Sequence, residues 1–529
     1  MNRSLTAVRA AVLLLVASLV AVGAGVGTAG VDRSVSVTAL GTYASGTYLA
    51  GGAEIAVFDA TSEQIFVVNA ADASVDVLDA SDPAAPVKVG AIDVTRFGAS
   101  ANSVAVHHGV VAVAIQAEPK TDPGTLAFFD SDRALLAAVE VGALPDMVTF
   151  TPNGNYALVA NEGEPNDAYT VDPEGSVSIV DLRGGAANVE QSDVRTAGFG
   201  QLASADLDPS IRVFGPRASV AQDLEPEYIT VSGNSKTAWV SIQEANALGV
   251  LDVDAGGFTA LHGLGFKDWA LPANQLDPSD RDGGIKLASW PVKGMYQPDG
   301  IASYRVNGAE YVVSANEGDA RAYAGFSEEK RVSELVLDPT AFPNAATLRT
   351  NANLGRLRVT NATGDPDGDG LFEELYAYGA RSVSIWGADG ELVWDSGDDL
   401  ERITAAELPA QFNSNHETNN SFDTRSDDKG PEPEGVAVGK IKGRWFAFAV
   451  LERVGGIVTF DISDPRAPRF VDYVNNRDFA GDAVAGTAGD LGPEGIDFVA
   501  ADESPTDRPL LVVGNEVSGT TTVYEVAVR

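Results

Sequence analysis

The chain of 529 residues has no cysteine, three methionines and four histidines. Without cysteine, disulfides and thiolate metal sites are excluded, and the core must hold itself by packing. With His107, His108, His262 and His416 as the whole histidine complement, a His-rich zinc site is disfavoured. Ser-His-Asp catalysis lacks a nucleophile elbow, and glycine pairs such as Gly51-Gly52 lack a phosphate-loop context. Positive charge is scarce: 36 Lys and Arg face 75 Asp and Glu, a formal charge of −39. Such a surface repels nucleic acid and anionic membranes and favours divalent cations or a salty medium. Solubility alone is the simpler source of most of that charge.

Long apolar runs are missing except at the start. Arg3 and Arg9 precede a short apolar stretch, Ala10 to Val22, followed by small residues. Residues 1–29 therefore read as a secretory signal peptide, with cleavage after Val22-Gly23-Ala24 or Gly27-Thr28-Ala29. The competing reading is a retained anchor, but the run is short for a span. The expected mature protein, residues 30–529, is one domain that is secreted or held at the cell surface, with no stable membrane insertion.

What the chain does have is a repeat. In Gln297–Tyr323 a Pro-acid pair, Pro298-Asp299, opens an alternating run. Asn307-Gly308 turns it, and a second run ends at Asn316-Glu317. Antiparallel pairing puts the start of one strand beside the end of the next, so Asp299 and Glu317 are expected on one rim. Similar copies pair Asp146 with Glu162, Glu227 with Glu244, Glu434 with Glu452, and Glu494 with Glu516. Two weaker copies begin near Glu54 and Asn102, and a third strand usually follows each hairpin. Repeated units of this kind predict an all-β fold, a seven-bladed β-propeller of YVTN/WD40-like type. A β-sandwich array is the alternative. Ser34 to Leu40 is expected to complete the final blade, and long loops interrupt the pattern at about 185–222, 256–297, 317–374 and 396–430, mostly on the acidic rim.

Two constellations carry possible chemistry. In Asp365-Pro366-Asp367-Gly368-Asp369-Gly370, alternate carboxylates and glycines suit a Ca²⁺ loop, with Glu373 or Glu374 completing the shell. The twelfth position is Tyr376 rather than Glu, so it is no EF-hand, and a merely solvated acidic loop is the competing reading. The second is the carboxylate rim itself, with Arg321, Arg381, Arg425, Lys429, Arg453 and Arg477 as candidate counter-charges. Like charges so placed raise one another's pKa or recruit cations. A purely structural rim, bonded to neighbouring backbone N–H groups, is equally compatible.

Several stretches carry a family resemblance: Asn161-Glu162-Gly163-Glu164-Pro165, Ser314 to Arg321, Gly379 to Ser382, Arg425 to Gly435, Leu451-Glu452-Arg453 and Asp472 to Asp478. The chain resembles the choice-of-anchor I proteins, related to mesenchyme-specific cell surface glycoproteins and to bacterial proteins labelled alkaline phosphatases. The resemblance implies a propeller in an exported setting and transfers no catalytic residue. Two functions follow as expectations. One is a surface or extracellular binding module whose acidic rim takes a divalent cation, Ca²⁺, and an anionic small molecule or extracellular polymer. The other is a Ca²⁺-dependent phosphoesterase, in which the metal polarises a phosphoryl oxygen and an arginine clamps it.

Overall fold

A computed structural model describes residues 35–203 and 207–528. The expected signal segment and Ser34 lie outside the described residues. Among those residues, seven four-stranded antiparallel sheets follow one another along the chain. In order, they begin with Ala56–Asp59, Ser100–His107, Pro145–Phe150, Ile229–Val231, Ile301–Val306, Pro433–Ile441 and Pro493–Val499. The second strands end at Asn69, Gln116, Asn161, Ile242, Asn316, Leu451 and Asn515. The seventh sheet gains its fourth strand from the other end of the chain: Val35–Ala44 pairs with Thr520–Val528, from Val35 opposite Val528 to Ala44 opposite Thr520. That pairing covers what would otherwise be an open edge.

The first strand of each sheet packs against the first strand of the next, and the seventh against the first, so the sheets form a closed ring. Their facing sides bury Val, Ile, Leu and Phe between successive sheets, as with Phe66, Val113 and Phe129 between the first two. The hairpin inferred around Asn307-Gly308 forms as expected, from Ile301 opposite Ser314 to Val306 opposite Ala309. Asn307 and Gly308 take φ of 50° and 88° there.

The four intervals read as loop insertions are more ordered than expected. Val194–Gly198 and Gly257–Gly263 are the outer strands of the third and fourth sheets. Short strands from 266–268, 293–295, 329–331, 358–360 and 376–377 build a separate five-stranded sheet beside the ring. It has its own core, including Trp269, Leu335, Leu354, Val359 and Phe372. Strands of two or three residues carry no readable alternation, which is why this sheet is invisible in the sequence. No helix among the described residues is long and apolar enough to cross a membrane.

Candidate functional site: an acidic mouth on the ring axis

A cavity of about 340 Å³ opens where the first strands converge. Its lining takes one stretch from every sheet: Ile55, Asn102-Ser103, Asp146-Met147, Glu227-Tyr228, Asp299, Glu434-Gly435 and Glu494-Gly495. Local backbone irregularity aims these residues inward. In the sixth sheet Pro433 pairs with Leu451 but Val436 with Ala449, so Glu434 sits in a β-bulge. Asp146 and Glu494 occupy equivalent bulges. A bulge bends the strand and re-aims a side chain. The following glycine allows the next strand to close in: a Cβ on Gly435 would lie 2.2 Å from the Glu494 carbonyl oxygen, and one on Gly300 2.8 Å from that of Glu434.

Carboxylate oxygens of Asp146, Glu162 and Glu227 lie within 4.8 Å of one another, and so do those of Asp299, Glu317 and Glu434. Each cluster joins the strand-start and strand-end acids of one sheet to the strand-start acid of the next. Glu244 is buried, and Glu516 half-buried, behind this lining. Their charges are felt by Glu227 and by Glu494 respectively. Glu54, which starts the first copy, belongs to the same ring and was not singled out in the sequence. It opens a weaker copy with no proline before it and with Ala70 after Asn69 where other copies have a glutamate, so no acid pair marked it.

Burial, then mutual repulsion, pushes these acids up. Asp146 is raised to about 7 and Glu54 to about 8. Glu162, Glu227, Asp299, Glu434 and Glu494 all lie well above the usual carboxylate range for the same two reasons. None of these seven side chains makes an ion pair among the described residues.

The sixth sheet's side of the mouth differs. Glu432 is fully buried and meets three cations: Arg425 at 2.6 Å, Lys429 at 3.2 Å and Arg453 at 2.8 Å. Burial alone would raise its carboxyl, but those cations outweigh it and hold it below the usual range. Glu452 accepts from Arg453 at 2.9 Å and from His416 Nδ1 at 2.7 Å, and is likewise held low. Lys429 also pairs with Glu317, whose other oxygen accepts from Gln243 Nε2 at 2.9 Å. His416 arrives on the 396–430 insertion. Arg477 fixes that segment by donating to the carbonyls of Asn415 and Thr418. Glu432 and His416 were missed in the sequence, because contacts across an insertion leave no local pattern.

Other expected rim residues lie elsewhere. Arg321 is fully buried off the mouth, paired with Asp223 and, at 2.7 Å, with Glu225, its guanidinium over Phe214. Two acids and an aromatic face supply all that a buried guanidinium needs, so it has no reason to reach the axis. Arg381 is buried against Glu401 at 2.8 Å.

The 365–374 loop sits on the accessory sheet, away from the axis. Asp365 accepts from the N–H groups of Gly368 and Gly370 at 2.8 and 2.9 Å. Oxygens of Asp365, Asp367 and Glu373 come within 4.8 Å of one another, and Glu373 Oε2 is buried with no hydrogen-bond partner. Asp369 is outside that group and accepts from Leu371 N at 2.8 Å. Glu374 turns to Lys293 at 2.6 Å and to the Tyr376 hydroxyl, so of the two candidate closing residues Glu373 is the one in place.

A closed ring of four-stranded antiparallel sheets around an axial cavity defines the architecture as propeller-like. The family model for the choice-of-anchor I domain matches residues 54–465, and the chain belongs to that family. Gigasin-3a of Magallana gigas is 31% identical over 193 residues, 34% of this chain and 66% of that protein. A mesenchyme-specific cell surface glycoprotein of Strongylocentrotus purpuratus is 28% identical over 283 residues, 47% of this chain and 36% of that protein. The chain thus matches about two thirds of the length of one of these relatives and about a third of the other. Among solved structures it is similar to a streptogramin B lyase (TM-score 0.46, 9% identity, 93% of this chain, 98% of that one). A similar likeness holds for the WD40 domain of Toxoplasma gondii coronin (TM-score 0.46, 8% identity, 94% of this chain, 87% of that one).

Proposed function

We propose that the chain is a surface or extracellular binding module. On this reading residues 30–529 form one seven-bladed propeller, and the acidic mouth holds a divalent cation, Ca²⁺ foremost. The observation that carries it is the Asp146/Glu162/Glu227 cluster, three converging carboxylates with no cationic partner. Such groups must either keep protons at neutral pH or take up a cation, and hard oxygen donors suit Ca²⁺. The loop at Asp365, Asp367 and Glu373 is a second, separate Ca²⁺ site on this reading. The surface setting accords with the name of the sea-urchin relative, a cell surface glycoprotein.

The test is thermal melting at pH 8 after EDTA treatment, with Ca²⁺ restored. A cation that binds only the folded state raises Tm. The rise should persist in Asp367→Asn, which disables the loop alone. No rise in that variant would refute a cation in the mouth.

A second reading, phosphoester hydrolysis, is favoured by one feature: Lys429 and Arg453 line the same cavity as the carboxylates. It predicts Ca²⁺-dependent, EDTA-sensitive cleavage of p-nitrophenyl phosphate that Arg453→Met removes.

A further inference from the structure

Glu317 belongs to several arrangements at once, and its carboxylate also lies within 4.8 Å of those of Glu432 and Glu452. It is one member of the Asp299/Glu317/Glu434 cluster, and it is also the ion-pair partner of Lys429. The chain's own ammonium therefore occupies one side of a place where three carboxylates converge. Asp299 and Glu434 have no such partner, and Glu434 Oε2 is buried without a hydrogen bond. Alongside, Glu452 is 7% exposed and its Oε2 is unpartnered in the lining of the same cavity. An acceptor so deeply buried without a hydrogen bond calls for a partner, be it water, a proton or a cation.

Lys429 has somewhere to go. Its Nζ lies 3.2 Å from Glu432 and 3.9 Å from Asp319, so losing Glu317 does not leave a buried charge unpaired. Lysine's flexible stem and rotatable donors suit exchange between partners better than a guanidinium fork would.

We propose that Lys429 is a displaceable counter-ion. A divalent cation entering the Asp299/Glu317/Glu434 cluster takes Glu317 from it, and the released ammonium, with Arg453, then holds an oxyanion carried on that cation. This rests on the cation-binding reading above and adds the ligand class: a sulfate, phosphate or carboxylate group, with sulfate as the probe. Cation and oxyanion then bind cooperatively, because the cation frees the donor that the oxyanion uses. Without the cation the ammonium stays on Glu317 and the surrounding acids repel an anion.

Calorimetry on the full chain carrying Asp367→Asn tests this. Sulfate is titrated without Ca²⁺ and at saturating Ca²⁺, and Ca²⁺ with and without sulfate. Coupling of about fivefold or more is expected, equal in both directions because linkage is reciprocal. Lys429→Met should tighten Ca²⁺ binding, since the internal competitor is gone, and abolish the coupling. The wild-type reciprocity needs no variant, so the proposal stays falsifiable if Lys429→Met does not fold. Equal sulfate binding with and without Ca²⁺, or coupling that survives in folded Lys429→Met, overturns the inference. If Ca²⁺ binds, is lost in Asp299→Asn/Glu434→Gln, and shows no sulfate coupling, only this inference falls. If Ca²⁺ binds nowhere in the mouth, the underlying reading falls and this inference with it.

Discussion

On the sixth sheet's side of the mouth Glu432 and Glu452 meet Arg425, Lys429, Arg453 and His416. Across the axis, Asp146, Glu162 and Glu227 meet one another and no cation. Both arcs use the same residue types near the same strand positions, and both remove them largely from bulk water. One has its counter-charges built into the chain, on the 396–430 insertion and on Arg453. The other has none. The neutralised arc shows how strongly carboxylates at this depth call for positive charge. The bare arc is then the part of the ring where that charge must come from outside, as protons or as a cation.

The largest effect is expected where the counter-charges are built in. Glu432→Gln leaves Lys429, Arg425 and Arg453 without their shared anion. Breaking a buried ion cluster by removing one partner should cost about 3–5 kcal/mol, read by denaturant unfolding. A loss under about 1 kcal/mol would mean that this arc is no more demanding than a surface ion pair.

Next comes pH. Asp146 and Glu54 have folded-state pKa values raised to about 7 and about 8. In unfolded chains such groups ionise near about 4. Between those limits the folded state binds more protons than the unfolded one. Without divalent cation, their contribution to stability should therefore be complete below about pH 4 and be lost as pH rises through 7 to 8. The bare cluster contributes to the fall, so Asp146→Asn/Glu227→Gln should flatten the slope, as melting in EDTA from pH 5 to 8 will show. Glu432 has the opposite sign: its carboxyl is held low, so its contribution is present at neutral pH and fades only in stronger acid. A slope untouched by the double substitution would remove the contrast between the arcs.

The smallest effect belongs to the loop. Asp367 is exposed on the loop between two strands of the accessory sheet, Arg358–Thr360 and Tyr376–Ala377. In Ca²⁺, Asp367→Asn should lower Tm by no more than about 2 °C, the order expected for at most about 1 kcal/mol in a chain of this size. A larger drop would mean that the accessory sheet, rather than the mouth, dominates cation-linked stability.

Much of this was legible in the sequence, and the reason is register. The acid that opens each first strand and the acid that closes each second strand are separated by a hairpin whose pairing follows from alternation and a turn. Asp299 and Glu317 could therefore be placed together from Asn307-Gly308 alone. The bulges at Asp146, Glu434 and Glu494 were not legible, because a single unpaired residue leaves the alternation almost intact. Nor was the division into two arcs. Lys429 meets Glu317 across 112 residues of chain, and Arg321, which looked like a rim cation, finds Asp223 and Glu225 instead. In Pro431-Glu432-Pro433-Glu434 nothing local says which glutamate is clamped by cations and which faces the cavity.

The measurement that bears most directly on the bare arc is a Ca²⁺ titration by calorimetry at pH 7.5. It uses the Asp367→Asn background, with and without Asp146→Asn/Glu227→Gln. The account predicts a binding event in the first protein that is absent from the second, with proton release accompanying the event as raised carboxyls give way to the cation. Identical isotherms in two equally folded proteins would contradict it and leave Asp146, Glu162 and Glu227 with an architectural role alone.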